Sequence, residues 1–464
     1  MAFMRADIWT LEGNQEWHPV TEAYARAVAV MKTRPASDVT SWRFQAAIHA
    51  SSGGDWRQQC QHNCWFFLSW HRAYLFWFEQ IVRAAMKEVD EIDPEVREAW
   101  ALPYWNYSRG GAYASLPKVF LTEQLPDGAE NPLYVRERRQ RINNGDALTK
   151  EAIATTEAFK AHTFTGFDGG FGGAATGKNH LDQDPARVAG RLERTPHGSV
   201  HNGVGGPGGF MSLFETAGLD PVFWMHHANI DRLWAVWITQ GFANPTDDRW
   251  LTTEFEFHDE QKQLQRSRAA GVLDTVGNLG YTYEDLTVPP AAEEAAAMSR
   301  APRPDHPPEL VGATAQPLDL TGRRTRVTFG VESSRGPAAA SERAGSERLY
   351  LSLDGIEGDR NPGTTYGVYL NLGDDDEPEP HYVGNVSFFG IEKSRDVRSD
   401  HPAGHGLRYV FDITDTVAAL RGRDRWNPGR VEVTLAPLEE DEPVATAEAV
   451  GAPIRVGSVG LYVQ

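Results

Sequence analysis

His197-Gly-Ser-Val-His201 and Asp220-Pro-Val-Phe-Trp-Met-His-His-Ala-Asn-Ile-Asp231 are the stretches that decide what this chain is built around. The first two histidines are four residues apart, so on a helix they share a face and both can reach one metal ion. A second group lies upstream, at His49, His62 and His71. One buried histidine is usually a satisfied core residue. Two matched groups instead indicate two metal ions, because that many unpaired buried imidazoles would be costly. Imidazole-only sites suit Cu, Zn, Fe or Ni.

Composition limits the classes of function. The chain has 464 residues, enough for two or three domains, with 41% hydrophobic and 23% charged residues. Its formal net charge of -19 argues against binding to nucleic acid or an anionic membrane, which needs clustered Lys and Arg. No apolar run approaches the length of a membrane span, and the N-terminus has no leader pattern. We therefore expect a cytoplasmic protein without nucleic-acid or membrane partners.

The two cysteines, Cys60 and Cys64, both lie close to His62. A disulfide framework for a chain of this size would use more cysteines, and the cytosol disfavours one. Cys60-Gln-His62-Asn-Cys64 also resembles half of a zinc site, but the sequence has no second cysteine pair to complete it.

Residues 1–286 are rich in Trp, His and Phe and are predicted to be mainly helical. Ser37 is predicted as the N-cap of a helix that starts at Asp38 and runs through His49. Pro221 suits the first turn of a helix. The other predicted helices are Val20–Lys32, Phe66–Val89 and the one from Pro221 to Ile238. Glycine-rich stretches, Gly166–Gly177 and Gly203–Gly209, are predicted to be loops in which backbone packs closely.

Residues 287–315, rich in proline, are predicted to be a linker. From 316 to 464 the hydrophobic pattern has a period of two, which favours an antiparallel β-sandwich or a barrel; we expect the sandwich. The predicted strands are Thr325–Phe329, Arg348–Leu353, Tyr366–Leu370, Asn385–Phe389, Arg408–Asp412, Arg430–Leu435 and Gly460–Val463.

Two long motifs resemble the copper signatures of the tyrosinase, polyphenol oxidase and molluscan haemocyanin family. His62-x4-Phe67-Leu-Ser-Trp70-His71-Arg72-x2-Leu75-x3-Glu79 is similar to the first signature, and Asp220-Pro221-x-Phe223-Trp224-x2-His227-x3-Asp231 to the second. The resemblance implies a mainly α catalytic domain built on a four-helix bundle, with two copper ions and O2 as co-substrate. The implied ligands are His49, His62 and His71 for CuA, and His197, His201 and His227 for CuB.

The adjacent pair His226-His227 requires a choice, because neighbouring helical residues do not share a face. The fixed histidine of the signature falls on His227, so we expect His226 to point away from the site. Asp231 is predicted to accept a hydrogen bond behind His227; the alternative is a salt bridge to Arg232 or another arginine.

Further residues take roles that the resemblance implies. Cys60 would be joined to His62 by a thioether bond, the alternative being two unmodified thiols. Glu193 would hold a water near the metals and accept a proton from an incoming phenol, unless it is a solvated loop charge. Phe214 would lie over CuA and stack on a substrate ring, unless it is an ordinary core residue.

The family's requirements for phenol hydroxylation are met only in part. The resemblance associates hydroxylation with an asparagine directly after the first CuB histidine, and here that position is Gly198, while Asn202 follows the second CuB histidine. We therefore predict strong oxidation of o-diphenols to o-quinones and weak or absent monophenol hydroxylation. The alternatives are an o-aminophenol oxidase and a haemocyanin-like O2 carrier. Small phenols are the expected substrates, and a copper chaperone is a candidate partner.

The C-terminal half also resembles this family. Leu279-Gly-Tyr281-Thr-Tyr283 is similar to the tyrosine motif that closes the catalytic domain. The resemblance implies that the C-terminal domain covers the copper entrance, with an aromatic such as Phe388, Phe389 or Tyr366 nearby. The alternative is a purely stabilising domain.

Overall fold

The computed structural model describes residues 2–13, 17–50, 59–178, 187–290, 306–331, 347–374, 376–393, 406–439 and 453–464. Described residues up to 290 form a mainly helical part, called the helical domain below. Its α-helices are α1 (Ile8–Glu12), α2 (Pro19–Thr33), α3 (Trp42–His49), α4 (Phe67–Met86), α5 (Pro94–Ala99), α6 (Gln140–Asn143), α7 (Thr156–Phe159), α8 (Ser199–Gly205), α9 (Pro221–Thr239) and α10 (Asp248–Leu251). Its short 3-10 turns are Tyr107–Arg109, Gly111–Ala114, Lys118–Phe120, Phe210–Ser212, Ala217–Leu219 and Ala269–Val272.

The ends of the long helices follow from local capping. Helix α9 starts at Pro221, as predicted, because the Asp220 carboxylate accepts a hydrogen bond from the Val222 N–H at 2.9 Å. Helix α2 confirms the prediction over Val20–Lys32, with one extra residue at each end. Helix α4 ends at Met86 rather than Val89, because the next three residues form turn bonds in place of helical ones.

The prediction that Ser37 caps α3 is wrong. The N-cap is Ser41, whose hydroxyl accepts the Phe44 N–H at 3.1 Å. Asp38 instead accepts the Thr40 N–H at 2.9 Å and the Thr40 hydroxyl at 2.7 Å. This side-chain turn holds the chain out of the helix until Ser41.

A buried ionic cluster joins the two ends of the helical domain. Strand β1 (Phe3–Arg5) pairs in parallel with β4 (Tyr281–Tyr283). Arg5, fully buried, donates from Nε to Glu79 of α4 at 2.9 Å and from Nη1 to Asp231 of α9 at 3.4 Å. Both helices are thereby tied to the chain's first strand.

Asp231 is the centre of this cluster. Its Oδ2 accepts hydrogen bonds from the hydroxyls of Tyr281 and Tyr283, each at 2.5 Å, and its Oδ1 accepts Arg72 Nε at 2.5 Å. Although burial opposes it, Arg72 and Arg5 lower the pKa of Asp231. Asp231 is therefore an ionised carboxylate that links α9 to α4 and to the tyrosine motif.

The remaining strands form one hairpin and two antiparallel sheets. The hairpin, β2 (Glu254–His258) with β3 (Leu264–Arg268), belongs to the helical domain. Described residues from 306 onward form the β-domain. Its strands are β5 (Glu309–Ala313), β6 (Leu318–Leu320), β7 (Thr325–Phe329), β8 (Leu349–Glu357), β9 (Tyr366–Leu370), β10 (Tyr382–Val386), β11 (Leu407–Asp412), β12 (Val431–Pro437) and β13 (Ile454–Val463).

One sheet has the strand order β10-β9-β12-β7, and the other β11-β8-β13-β5, with β6 beside β13. Both sheets contribute to a single hydrophobic cluster, for example through Leu353 of β8 and Val433 of β12. Helix α11 (Thr414–Arg421), which was not predicted from the sequence, follows β11, and short turns occur at Glu379–His381 and Ile391–Lys393. The period-two pattern thus correctly identified a β-rich C-terminal part.

Two predicted boundaries in this part were inaccurate. Strand β5 (Glu309–Ala313) lies inside 287–315, the predicted linker, and pairs with the last strand of the chain. The predicted strand Asn385–Phe389 leaves the sheet after Val386, because Phe388 adopts a left-handed conformation with φ 58°. That turn directs Phe389 out of the β-domain. Among the described residues, no helix combines the length and apolar character needed to span a bilayer.

The Arg5 cluster gives a stability prediction. Replacing Arg5 with Met leaves Glu79 and Asp231 buried with one cation fewer, so we expect the free energy of unfolding to fall by about 3–5 kcal/mol. The matched control is Arg266→Met, which removes a hairpin pair whose side chains are 63% and 41% exposed and should change stability by less than about 1 kcal/mol. Urea denaturation followed by tryptophan fluorescence measures both, and equal small effects would contradict the role of the cluster.

Candidate metal centre

Seven histidines share one buried space in the helical domain. They are His49, His62, His71, His197, His201, His226 and His227. The space thus contains all six residues that the sequence analysis selected as metal ligands, together with His226.

The upstream group is assembled from two helices and the loop between them. His49 is the last residue of α3, His62 lies in the loop before α4, and His71 lies near the start of α4. The Nε2 atoms of His49 and His62 are 3.3 Å apart. His71 completes the group from α4, and its ring stacks on the ring of His227 with centroids 4.4 Å apart.

The downstream group gathers around α8 and α9. Potential ligand atoms of His197, His201, His226 and His227 all lie within 4.8 Å of one another. His197 belongs to a distorted helical segment, Glu193–Gly198, which Thr195 interrupts with an extended backbone. The two histidines four residues apart still meet, with ring centroids 4.6 Å apart, because the backbone is helical again from Gly198 onward.

Backbone carbonyls orient most of these rings. In each case the carbonyl oxygen contacts Nδ1, which fixes Nδ1 as the donor and leaves Nε2 as the nitrogen with a free electron pair. The four contacts are His49 with Phe214 O at 3.1 Å, His71 with Phe67 O at 2.8 Å, His197 with Glu193 O at 3.1 Å and His201 with Met211 O at 2.7 Å.

Burial keeps the imidazoles neutral. It lowers the pKa of His71 and of His201 to about 3, and the pKa values of His197 and His227 well below the usual range. Nε2 of His71 and of His197 is buried without a hydrogen-bond partner in the described chain. Neutral imidazoles with inward-facing free nitrogens are what a divalent or monovalent transition metal requires.

His226 does not point away from the site, contrary to the prediction. It lies within the downstream group, and its Nδ1 is hydrogen-bonded to the Tyr107 hydroxyl at 3.1 Å. His227 approaches more directly, since its Nε2 is 3.4 Å from Nε2 of His201. The predicted bond from His227 to Asp231 is absent from the contacts of the described residues, because Asp231 is occupied by arginines and tyrosines; the alternative salt bridge formed instead.

Glu193 is buried beside the upstream group, not solvated. Its carboxylate contacts His62 Nδ1 at 2.9 Å and accepts the Asn63 N–H at 2.8 Å. Burial raises the pKa of Glu193 to about 8. Through this contact the Glu193 carboxyl group can orient His62, the one histidine of the upstream group whose Nδ1 contacts a side chain.

Both cysteines are buried. The Sγ atom of Cys60 lies within 4.8 Å of ligand nitrogens of His49 and His62. Burial raises the pKa of Cys64 to about 12, which makes it an inert thiol. Cys60 therefore lies beside two histidines of the upstream group.

Two phenylalanine rings pack against the histidine rings. The Phe214 ring lies 4.9 Å from the rings of both His49 and His62. Phe389, from the β-domain, stacks on His201 with centroids 4.0 Å apart and lies 5.3 Å from Phe214. Of the three aromatics expected near the entrance, only Phe389 is here: Phe388 and Tyr366 pack against each other in the core of the β-domain.

Gly198 and Asn202 both face the β-domain. A Cβ atom on Gly198 would lie 2.2 Å from the Ser387 hydroxyl, so a side chain there would require Ser387 to shift. The Asn202 amide donates to the Ser387 carbonyl, and its oxygen accepts the Asn361 amide at 2.9 Å. The segment around Ser387 therefore occupies the space beside both residues.

Sequence reasoning missed Tyr107, Asn361 and Ser387. Each of these three residues contacts a site residue that is far from it in the sequence. No motif or spacing in the sequence indicates such a contact. Tyr107 is 119 residues from His226, and Asn361 is 159 residues from Asn202.

Similarity to known proteins agrees with this geometry. Residues 39–240 match the common central domain of tyrosinase, residues 244–295 the polyphenol oxidase middle domain, and residues 307–464 a domain of unknown function. Tyrosinase HcTyr1 of Hahella sp. (strain CCB-MM4) is 32% identical over 488 residues, which cover 95% of this chain and 96% of that protein.

The chloroplastic polyphenol oxidase of Malus domestica is 28% identical over 464 residues, covering 90% of this chain and 74% of the relative. The solved structure of latent apple tyrosinase has a TM-score of 0.66 at 23% identity, covering 100% of this chain and 97% of that chain, which shows a common fold. With two histidine groups meeting in one buried space, and with similarity along nearly its whole length, the chain belongs to the tyrosinase and polyphenol oxidase family of copper oxidoreductases.

Proposed function

We propose that this protein oxidises o-diphenols to o-quinones with O2 at a dinuclear copper site and hydroxylates monophenols weakly or not at all. Membership of the family supports copper-dependent oxidation of phenols. The observation that carries the proposal is the convergence of seven buried histidines in one space. We infer further that the helices carrying them form a four-helix bundle, and that the two sheets sharing one core form a β-sandwich.

The proposed ligands are His49, His62 and His71 for CuA, and His197, His201 and His227 for CuB. The close Nε2 pairs, His49 with His62 and His201 with His227, support this grouping. The bound copper pair would bind O2 and take up the electrons that a diphenol releases. His226 would support the site through Tyr107 without binding a metal.

The protein's own residues would position the substrate and its proton. Phe214 offers a ring face near His49 and His62 on which a phenol can stack. Glu193 is proposed to orient His62 and, through a water, to accept the phenolic proton. Its contact with His62 supports the first role directly.

Weak hydroxylation follows from the surroundings of the downstream histidines. Gly198 has no side chain that could orient a proton acceptor, and the Asn202 amide is bonded to the β-domain. Neither residue can therefore help to deprotonate a monophenol while the two domains are in contact. An o-diphenol needs less assistance, because its oxidation to an o-quinone removes two electrons and two protons and adds no oxygen to the ring.

The β-domain is proposed to act as a lid. Phe389 occupies the space against His201 and beside Phe214 in which a phenol ring would stack. A substrate therefore has to displace it. The proposed location of the protein is cytoplasmic, with a copper chaperone as partner and small phenols as substrates; cell fractionation with copper analysis of each fraction tests the location.

The ligand assignment is tested by copper content. We expect His227→Ala to lose about one copper per chain, because three ligands hold each ion. The matched variant His226→Ala should retain two. Atomic absorption of the purified proteins measures both, and the reverse pattern would exchange the roles of the two histidines. In the same samples, a Cys60–His62 thioether would lower the mass of the peptide by the two hydrogens that its formation removes.

The reaction is tested by oxygen uptake on paired substrates. With full-length copper-loaded protein, we expect catechol and 4-methylcatechol to be oxidised at least about tenfold faster than tyramine or tyrosine, a difference of about 1.4 kcal/mol in barrier height. Equal rates would overturn the proposed preference. Faster oxidation of o-aminophenol than of catechol would favour the aminophenol oxidase, and O2 binding without turnover would indicate a carrier.

The lid is tested by one side chain. Truncating Phe389 to Ala removes its stacking on His201, so the closed arrangement loses about 3 kcal/mol and catechol oxidation should rise at least about tenfold. The control is Tyr366→Phe, which changes a residue in the β-domain core away from the histidines and should leave the rate unchanged. If both variants behave like the parent, the β-domain only stabilises the protein.

A further inference from the structure

A second cavity lies between the two domains, apart from the histidines. Its volume is about 170 Å³. The helical domain contributes Thr156, Arg194 and Thr195, and the β-domain contributes Tyr382 and Phe411. Because both domains line it, the cavity exists only while they are in contact.

Arg194 is the unusual residue of this cavity. Its side chain is buried, with 5% of the residue exposed, and it makes one hydrogen bond, from Nη1 to the Val410 carbonyl. Its guanidinium lies 4.9 Å from the centroid of the Phe411 ring. Within the described ranges it has no carboxylate partner at salt-bridge distance, and Nε and Nη2 have no acceptor.

The acidic groups nearby already serve other cations. Glu157 and Asp412, which also line the cavity, both pair with Arg191, at 3.9 Å and 3.4 Å. Asp168 binds Arg191 as well.

Two of these carboxylates each have a second cation. Asp412 also pairs with Arg348 at 2.8 Å, and Glu157 with Lys160 at 2.7 Å. Three carboxylates are thus matched by three cations. The fourth carboxyl group near Arg194, that of Glu193, makes its contacts with His62 and Asn63, so among the described residues no carboxylate is bonded to the Arg194 guanidinium. Burial, followed by the charge of Arg191, lowers the pKa of Arg194 to about 10, against the opposing charges of Asp168 and Glu157.

We propose that the cavity binds a small carboxylate anion, which pairs with Arg194 and packs its hydrocarbon part on Phe411. A planar guanidinium with two free donors matches the two oxygens of a carboxylate. A cavity of about 150 Å³ is known to hold a molecule the size of benzene, so this one suits an acid of about four to six carbons. The inference does not depend on the copper chemistry proposed above.

Binding should also hold the two domains together. A ligand that contacts Arg194 on one side and Phe411 on the other binds the closed arrangement better than an open one. The ligand therefore stabilises the closed arrangement by the difference between its binding free energies for the closed and the open protein. The site would allow a carboxylate metabolite to keep the protein closed.

The test is calorimetric titration of the full-length copper-loaded protein with butyrate. We expect one site per chain, and at least about tenfold weaker binding of 1-butanol, which has a similar size and no charge. Arg194→Met and Ala154→Leu should each weaken butyrate binding at least about tenfold, the first by removing the counter-ion and the second by filling the cavity. Because Ala154→Leu leaves Arg194 in place, the test stands even if Arg194→Met fails to fold.

Two controls distinguish binding in this cavity from binding elsewhere on the protein. Arg266→Met removes an exposed arginine and should not change the affinity. His227→Ala alters the copper site and should not change it either; binding that is lost there but kept in Arg194→Met would mean that butyrate binds at the metals. That result, or the absence of any binding heat, would overturn the proposal.

Discussion

The structure depends on keeping seven imidazoles buried in one shared space, five of them with pKa values lowered by burial. Each imidazole ring has two nitrogens, and a buried nitrogen without a hydrogen-bond partner costs free energy. Backbone carbonyls meet one nitrogen of His49, His71, His197 and His201, while Glu193 meets that of His62. The opposite nitrogens then face a shared space in which a metal ion can bind them. Fixing the ring orientations in this way places the surrounding helices and loops within narrow limits.

The Asp231 cluster keeps the two helices that carry much of the site in a fixed relation. Asp231 lies one turn beyond His227 on α9, and its carboxylate binds Arg72, the residue directly after His71 on α4. Arg5 and the two tyrosines of β4 complete it, so the first and last strands of the helical domain meet at the same carboxylate. A residue first expected to orient one histidine instead sets the distance between two histidine-bearing helices.

The β-domain contacts the histidine site through a few residues. Phe389 stacks on His201, and Ser387 lies where a side chain at position 198 would be. Ser387 and Asn361 also take both ends of the Asn202 amide. The absence of a side chain at Gly198 thus has two consequences. In the proposed mechanism it removes a side chain that could assist hydroxylation, and it lets the β-domain approach the helical domain closely.

The sequence alone determined the helix-then-strand order, the six histidines and the family, because periodicity and motif spacing are local properties. Helix α9 was predicted almost residue for residue, since a proline marks its start; the cap at Asp220 was not predicted. The sequence could not determine which groups meet across long separations in the chain. The position of His226 within the cluster, the pairing of Asp231 with arginines, the choice of Phe389 over Phe388, and the charge left on Arg194 all depend on such meetings. Only the tertiary structure decided them, because each results from packing between elements that no local pattern connects.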